Sequence, residues 1–206
     1  GKPNYWVPNL NLKPENNITR EIGAGIQLDG LLTDNDRLQL KGGYFGTDAR
    51  NYIATRVDMK RMRSYSYNVS RARIWGWDMQ GNYQSDYFDW MLSYNRTESM
   101  DASSREWLGS GNPDTLISDI SIPVGHRGVY AGWRAELSAS ATHVKKGDPH
   151  QAGYTIHSFS LSYKPVSVKG FEASVTLDNA FNKLAMNGKG VPLSGRTVSL
   201  YTRYQW

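Results

Sequence analysis

The chain has 206 residues, with 24 Lys+Arg against 19 Asp+Glu and a net charge of +5; at roughly 100–200 residues per domain, one domain is the default. Apolar residues make up 39% and never run more than three together, which excludes both a transmembrane helix of about 20 apolar residues and a secretory signal with its apolar stretch of about 7–15. The 12% of aromatic residues excludes a disordered chain, and the absence of Cys excludes a disulfide framework or a thiolate metal site.

Period-two alternation dominates from front to back, the mark of strands with two unlike faces. Ile22, Ala24, Ile26 and Leu28 oppose Glu21, Gly23, Gly25 and Gln27; Leu38, Leu40 and Tyr44 oppose Gln39, Lys41 and Gly43. Trp75, Trp77, Met79 and Tyr83 oppose Gly76, Asp78, Gln80 and Asn82, and Phe88, Trp90, Leu92 and Tyr94 oppose Asp89, Met91, Ser93 and Asn95. In the segment Val129 to Val144 the odd positions stay apolar through Leu137, Ala139 and Ala141, and a turn at Arg134–Glu136 is expected to divide it in two. Phe159, Leu161 and Tyr163 alternate with serines. Phe171, Ala173, Val175 and Leu177 oppose Glu172, Ser174, Thr176 and Asp178, and Val198, Leu200, Thr202, Tyr204 and Trp206 form the last stripe. The pattern predicts nine strands, at about 19–30, 37–48, 71–83, 86–96, 127–133, 137–144, 154–164, 171–183 and 196–206.

A soluble sandwich with one wet face also alternates. Two features point instead to an antiparallel transmembrane β-barrel. The apolar stripes end repeatedly in Trp or Tyr while the opposite stripes carry many small or charged residues, as lipid outside, a polar lumen inside and aromatic girdles require. The connections also alternate between short and long, notably long at 49–70 and 97–126, as periplasmic turns and extracellular loops do. Nine strands cannot close alone, because an odd antiparallel ladder fails where its ends meet, and open edges in lipid leave backbone groups unsatisfied. The chain is therefore expected to be part of a larger barrel, with the remaining staves upstream of Gly1 or on another chain; a self-closed barrel of eight strands is the competing view.

Four stretches resemble one family in its own order. Pro8-Asn9-Leu10-Asn11-Leu12-Lys13-Pro14-Glu15 followed by Arg20-Glu21-Ile22-Gly23 looks like the "NPNLKPE…ELG" stretch of TonB-dependent outer-membrane receptors, with an additional Asn-Leu before Lys13. Tyr44-Phe45-Gly46-Thr47-Asp48 with Asn51-Tyr52-Ile53 is similar to their "YFN…DYI" strand. Leu177-Asp178-Asn179-Ala180-Phe181-Asn182-Lys183 is similar to "xDNLFNKxY", with Ala180 where Leu is usual, and Gly195-Arg196-Thr197 through Trp206 resembles their last strand. The resemblance implies a 22-stranded barrel with a plugged lumen, of which residues 1–206 would be the C-terminal strands 14–22. The plug domain, first strands and TonB box would lie outside this sequence.

The wording of Leu31–Ile53 is most similar to the haem and haemophore branch, which implies haem as transported ligand, taken free or from a haemophore, with no tightly bound cofactor. A ferric-siderophore receptor of the same family, a passive porin-like channel and a barrel enzyme are the alternatives. On loops expected to be extracellular, Tyr5 and Trp6 would stack on a flat apolar ligand. Arg61 and Arg63, within the basic run Arg50, Arg56, Lys60, Arg61, Arg63, Arg71 and Arg73, would meet propionates, a haemophore surface or lipopolysaccharide phosphates. His150, in Gly147-Asp148-Pro149-His150-Gln151, stands where an axial iron ligand would sit. Each has an ordinary reading beside the functional one: a structural loop aromatic, a solvated charged face, a solvated loop histidine. His126, His143 and His157 are assigned to packing at the rim. No Gly-x-Ser-x-Gly elbow, His-Glu-x-x-His pair or phosphate-binding glycine loop supports an enzyme, and no nucleic-acid module accompanies the basic residues.

Overall fold

The computed structural model describes residues 5–58, 60–109, 113–147, 150–186 and 192–206, and among these it contains strands and no helix. In chain order they are β1 (Tyr5–Val7), β2 (Asn16–Asp29), β3 (Arg37–Asp58), β4 (Arg63–Gln84), β5 (Asp89–Asp101), β6 (Thr115–Val124), β7 (Val129–Ser138), β8 (Tyr154–Tyr163), β9 (Phe171–Asp178) and β10 (Thr197–Tyr204). Strands β2 to β10 form one continuous antiparallel meander, each paired with its neighbours in sequence, and β1 adds in parallel to β4. Neither β2 nor β10 has a partner on its outer edge among the described residues, so the sheet is an arc and not a closed ring.

The register assigns the two faces. The rung Ile26–Leu40–Gly81–Leu92 continues on the same face with Trp77, Ile122, Trp133, Leu161, Val175 and Leu200. This stripe is not a core: Ile22 is 73% exposed and Leu200 83%, and none of the large side chains among the described residues is fully buried. A face this apolar and this open belongs against hydrocarbon, since soluble monomers rarely show apolar patches beyond a few hundred Å². The opposite face carries Gly23, Gln27, Lys41, Asp78, Asn95, Asp119, Arg134 and Glu172. Its ion pairs are partly exposed, as in a wet lumen: Arg37 meets Asp29 at 3.2 Å, whereas Arg134 reaches Asp119 only at 4.0 Å and Lys164 reaches Glu172 at 3.8 Å.

Two expectations about the strands are corrected. The segment Val129–Ser138 runs unbroken through Arg134–Glu136, pairing with β6 on one side and β8 on the other, so no turn divides it. The strand that restores the count is β6, inside the connection expected to be one long loop. Its alternation is blurred because Ser118 interrupts the lipid face between Leu116 and Ile120, and Ile117 points to the other side. Ser118 is tolerated there because its Oγ accepts the Trp90 Nε1–H at 2.8 Å. The β6–β7 turn is short, with Gly125 and Gly128 at φ of 69° and 80°. A Cβ on Gly128 would stand 2.1 Å from the Lys164 carbonyl oxygen. His126 therefore lies at the short-turn end, not at the rim of the long loops. The connection at 49–70 is likewise mostly strand, because β3 and β4 are 22 residues each, about twice the 9–11 residues that cross a bilayer.

The turn between β2 and β3 is organised by Asp36, which is buried. Its carboxylate accepts the N–H groups of Leu31, Leu32 and Thr33 at 2.7–2.9 Å and the Tyr83 hydroxyl at 2.7 Å. Burial raises its pKa, but the bonds from Thr33, Tyr83, Leu32 and Leu31 outweigh that and hold it at about 2. Strand β9 ends at Asp178, earlier than expected, because Asn179 takes a left-handed φ of 48°. The buried Asn179 amide binds Lys183 N, Lys183 O and Ser194 O, while Arg196 bonds to Asn182 Oδ1 and Ala180 O. The two C-terminal motifs thus fasten the β9 and β10 ends of one loop to each other.

Candidate functional site

At the long-loop end the β3–β4 hairpin outlasts its neighbours. Strand β5 leaves β4 after the pair Ala72–Asp101, and the freed edge of β4 is taken by β1 in the register Tyr5–Arg63, Trp6–Ser64, Val7–Tyr65. The segment after β1 is tied to the same strand: Asn9 Nδ2 donates to Ser66 O at 2.9 Å, and Lys13 N–H donates to Asn68 Oδ1 at 2.7 Å. Asn68 Nδ2 donates to Asn51 O and to Lys13 O at 2.7 and 3.1 Å. Between these layers Ala49, Ala54, Val69, Ala72 and Leu108 form a small buried cluster with Tyr52 and Tyr67 against it. The hairpin is thus a built platform.

On this platform the structure brings together three of the residues singled out by sequence: Tyr5, described by its backbone alone, Trp6, which is 59% exposed, and the exposed Arg63, all on directly paired strands. Arg61 is exposed in the adjoining turn, where Met62 has φ of 51°. Arg56 from β3 lies 5.3 Å over the Tyr67 ring. The platform therefore carries an exposed indole on the Ser64 face, and guanidinium groups on the opposite face and in the turn. His150 stands apart, exposed on the connection 139–153 beside the Ala141–Gln151 bridge; its neighbours Asp148 and Pro149 lie outside the described residues. The same connection reaches the hairpin through Lys145, whose Nζ donates to Thr55 O and lies 5.5 Å from the Tyr67 ring.

A second cluster escaped sequence reasoning. His143 stacks on Trp107 with centroids 4.1 Å apart and planes 2° from parallel, and its Nδ1 is 3.0 Å from Glu98 Oε1. Glu98 is buried and also receives Arg96 Nε at 3.3 Å; Arg96 in turn is 3.8 Å from Asp114. The cluster clamps the 139–153 connection to β5 and to the 102–114 connection. Arg96 and Glu98 share the parity of Trp90, Leu92 and Tyr94 on β5, a signal that the outward face turns ionic there, but nothing local ties His143 to them. His157, with Trp133 donating its Nε1–H to the ring Nδ1 at 3.1 Å and Phe181 edge-on at 5.5 Å, belongs to the aromatic girdle. Among the described residues no group of three or more His, Cys, Asp or Glu is placed to hold a metal ion.

Comparison with known proteins agrees with this architecture. The family model described as "TonB dependent receptor-like, beta-barrel" matches residues 1–182. The hemin receptor of Yersinia pestis is 43% identical over 98% of this chain, and that of Yersinia enterocolitica 40% over 98%; the chain spans 30% and 31% of their lengths. Among solved structures the copper transporter OprC superposes with a TM-score of 0.77 at 19% identity, over 98% of this chain and 34% of that one. The Serratia marcescens hemophore receptor HasR, in complex with its hemophore and heme, gives 0.69 at 22%, over 98% and 33%. The chain belongs to the TonB-dependent receptor β-barrel family, a family of transport receptors.

Proposed function

We propose that residues 1–206 are the C-terminal portion of an outer-membrane receptor of a Gram-negative bacterium. The whole receptor takes up haem, free or carried by a haemophore, with energy supplied through TonB. The observation that carries this reading is the 43% identity to a hemin receptor along almost the entire chain. The plug, the first strands and the TonB contact belong to the remaining two thirds of such a receptor.

The platform geometry supports the ligand class. Trp6, in register with Ser64, offers an exposed indole face for a flat macrocycle, while Arg63 on the opposite face of the same strands and Arg61 in the turn offer guanidinium groups for propionates or for a haemophore surface, each pair a charge-assisted hydrogen bond. The Tyr5 backbone sits in register with Arg63. His150 is the candidate iron ligand of this chain, supplied by a different loop.

The test is titration of the complete receptor with haem, read by its Soret band, beside growth on haem as sole iron source. Saturable binding with a Soret shift, weakened by Trp6→Ala and Arg63→Ala, is the expected result; no shift would defeat the haem reading. The ferric-siderophore alternative shares the fold, since a ferric enterobactin receptor superposes with a TM-score of 0.68 at 16% identity. Growth on a ferric siderophore but not on haem would select it.

A further inference from the structure

Along the lipid-facing side of β2, β3 and β4 the register stacks cross-strand rungs. From the long-loop side downward they are Asn16–Arg50–Arg71, Ile18–Asp48–Arg73, Arg20–Gly46–Trp75, Ile22–Tyr44–Trp77, Ala24–Gly42–Met79 and Ile26–Leu40–Gly81. Four arginines against one aspartate therefore crown a pair of aromatic rungs, with apolar rungs below. Two cavities open on this face. The upper one, of about 270 Å³, is lined by Arg20, Tyr44, Gly46, Asp48, Arg73 and Trp75, and also by Glu21, whose strand position belongs to the opposite face. The lower one, of about 760 Å³, is lined by Ile26, Leu40, Gly42, Met79, Gly81 and Leu92. Four residues of strand separate Gly46 from Gly42, roughly 13 Å at the usual rise.

Two of the glycines that open these cavities, Gly42 and Gly46, are not demanded by the fold, whereas a Cβ on Gly81 would press on Leu40 Cδ2 at 3.3 Å. Neither Gly42 nor Gly46 has a positive φ, and a Cβ there would meet its nearest neighbours only at ordinary contact, 3.8 Å for Gly42 and 3.9 Å for Gly46. Glycine inside a strand weakens it, and such a position marks the close approach of a ligand or another backbone. The arginines are not consumed by Asp48 either: Arg71 and Arg73 reach it at 3.9 and 4.0 Å, with side chains 62% and 70% exposed.

We infer that this face is a specific site for the phosphorylated lipid A moiety of lipopolysaccharide. A headgroup phosphate sits between Arg20 and Arg73 over Gly46, Tyr44 and Trp77 lie at the glycolipid boundary, and one acyl chain lies in the groove opened by Gly42 and Gly81. The inference rests on the membrane-barrel reading of the chain, not on its transported ligand. Charge complementarity selects the phosphate and position selects the leaflet, because the long-loop end is the outer one.

The test uses the complete purified receptor, with bis-phosphorylated lipid A, its dephosphorylated form and phosphatidylglycerol measured by native mass spectrometry. Bis-phosphorylated lipid A should be retained at least tenfold more than either comparator. The double variant R20A/R73A should erase that preference, G42L should cut retention several-fold, and R37A, at the opposite end of β3, should change nothing. Haem binding and heat-modifiable gel migration report that each variant is folded. Equal retention of all three lipids, or unchanged retention by folded R20A/R73A, overturns the site. A spin label at position 92 that meets a water-soluble relaxant more than oxygen would overturn the barrel reading itself, separately from any phosphate dependence.

Discussion

The membrane belt and the crown above it are built from the same strands by different rules. In the belt a residue's role follows from its parity: Leu92 meets lipid and Asn95 meets the lumen because they stand an odd number of positions apart on β5. In the crown, neighbours from distant parts of the chain decide. Ser66 and Glu98 are buried and bond to Asn9 and His143, which come from distant segments. Substitution in the belt should therefore be predictable from position alone, and substitution in the crown from partners alone.

The sharpest way to break this comparison is a charge on the wrong face. Leu92→Arg should destabilise the complete receptor by about 2–4 kcal/mol, the cost of a cation on the lipid face near the bilayer midplane. Asn95→Lys, three residues away on the lumen face, should leave stability nearly unchanged. Urea unfolding in lipid vesicles measures both; equal effects would mean that the alternation does not separate lipid from lumen.

The crown gives the next largest effect. Glu98→Ala removes the acceptor shared by Arg96 and His143, and charged hydrogen bonds are worth about 1.5–3 kcal/mol each. The expected outcome is release of the 139–153 connection, seen as faster protease cleavage there while the belt keeps its resistance. Retention of the loop's protection would assign its anchoring to Lys145 and the Tyr67 ring instead.

A smaller effect is expected at the short-turn end. The Asp36 carboxyl is held at about 2 in the folded chain against an ordinary 3.8. Because the folded value is the lower one, its ionised form contributes stability that is complete above the ordinary value and is lost as pH falls from about 3.8 to about 2. The native receptor should weaken across that window more steeply than Asp36→Asn, whose turn cannot titrate. Parallel acid-unfolding curves for the two would deny the carboxylate this role.

How much of this was legible in sequence follows the same division. Eight of the nine meander strands announce themselves, at least in part, by alternation, since hydrocarbon imposes it on every residue it touches. β6 was hidden by Ser118 and Ile117, each on the face where the pattern expects its opposite. A turn within Val129–Ser138 follows only if the upstream connection is one long loop, and β6 lies there instead. The two C-terminal motifs were recognisable as motifs, but their mutual bonds through Asn179, Asn182 and Arg196 were not. In the crown, composition located the basic hairpin but not the pairing of Trp6 with β4, which depends on β5 departing at Asp101. The stack of His143 on Trp107 joins residues 36 positions apart in sequence through two irregular loops, and no periodicity reports such a contact.

His150 offers the finest test, because it separates a residue's place in the crown from a role in it. It is exposed on a loop whose attachment to the hairpin is made by Lys145 and whose attachment to β5 is made by His143. Replacing its imidazole removes none of those bonds. His150→Ala should therefore leave protease resistance and unfolding untouched while altering the position of the Soret band of the haem-loaded receptor, if its imidazole is drawn to the iron. A spectrum identical to the native one, in a receptor that still binds haem, would assign iron ligation to residues outside this chain and leave Trp6, Arg61 and Arg63 as its contribution to the grip on the macrocycle.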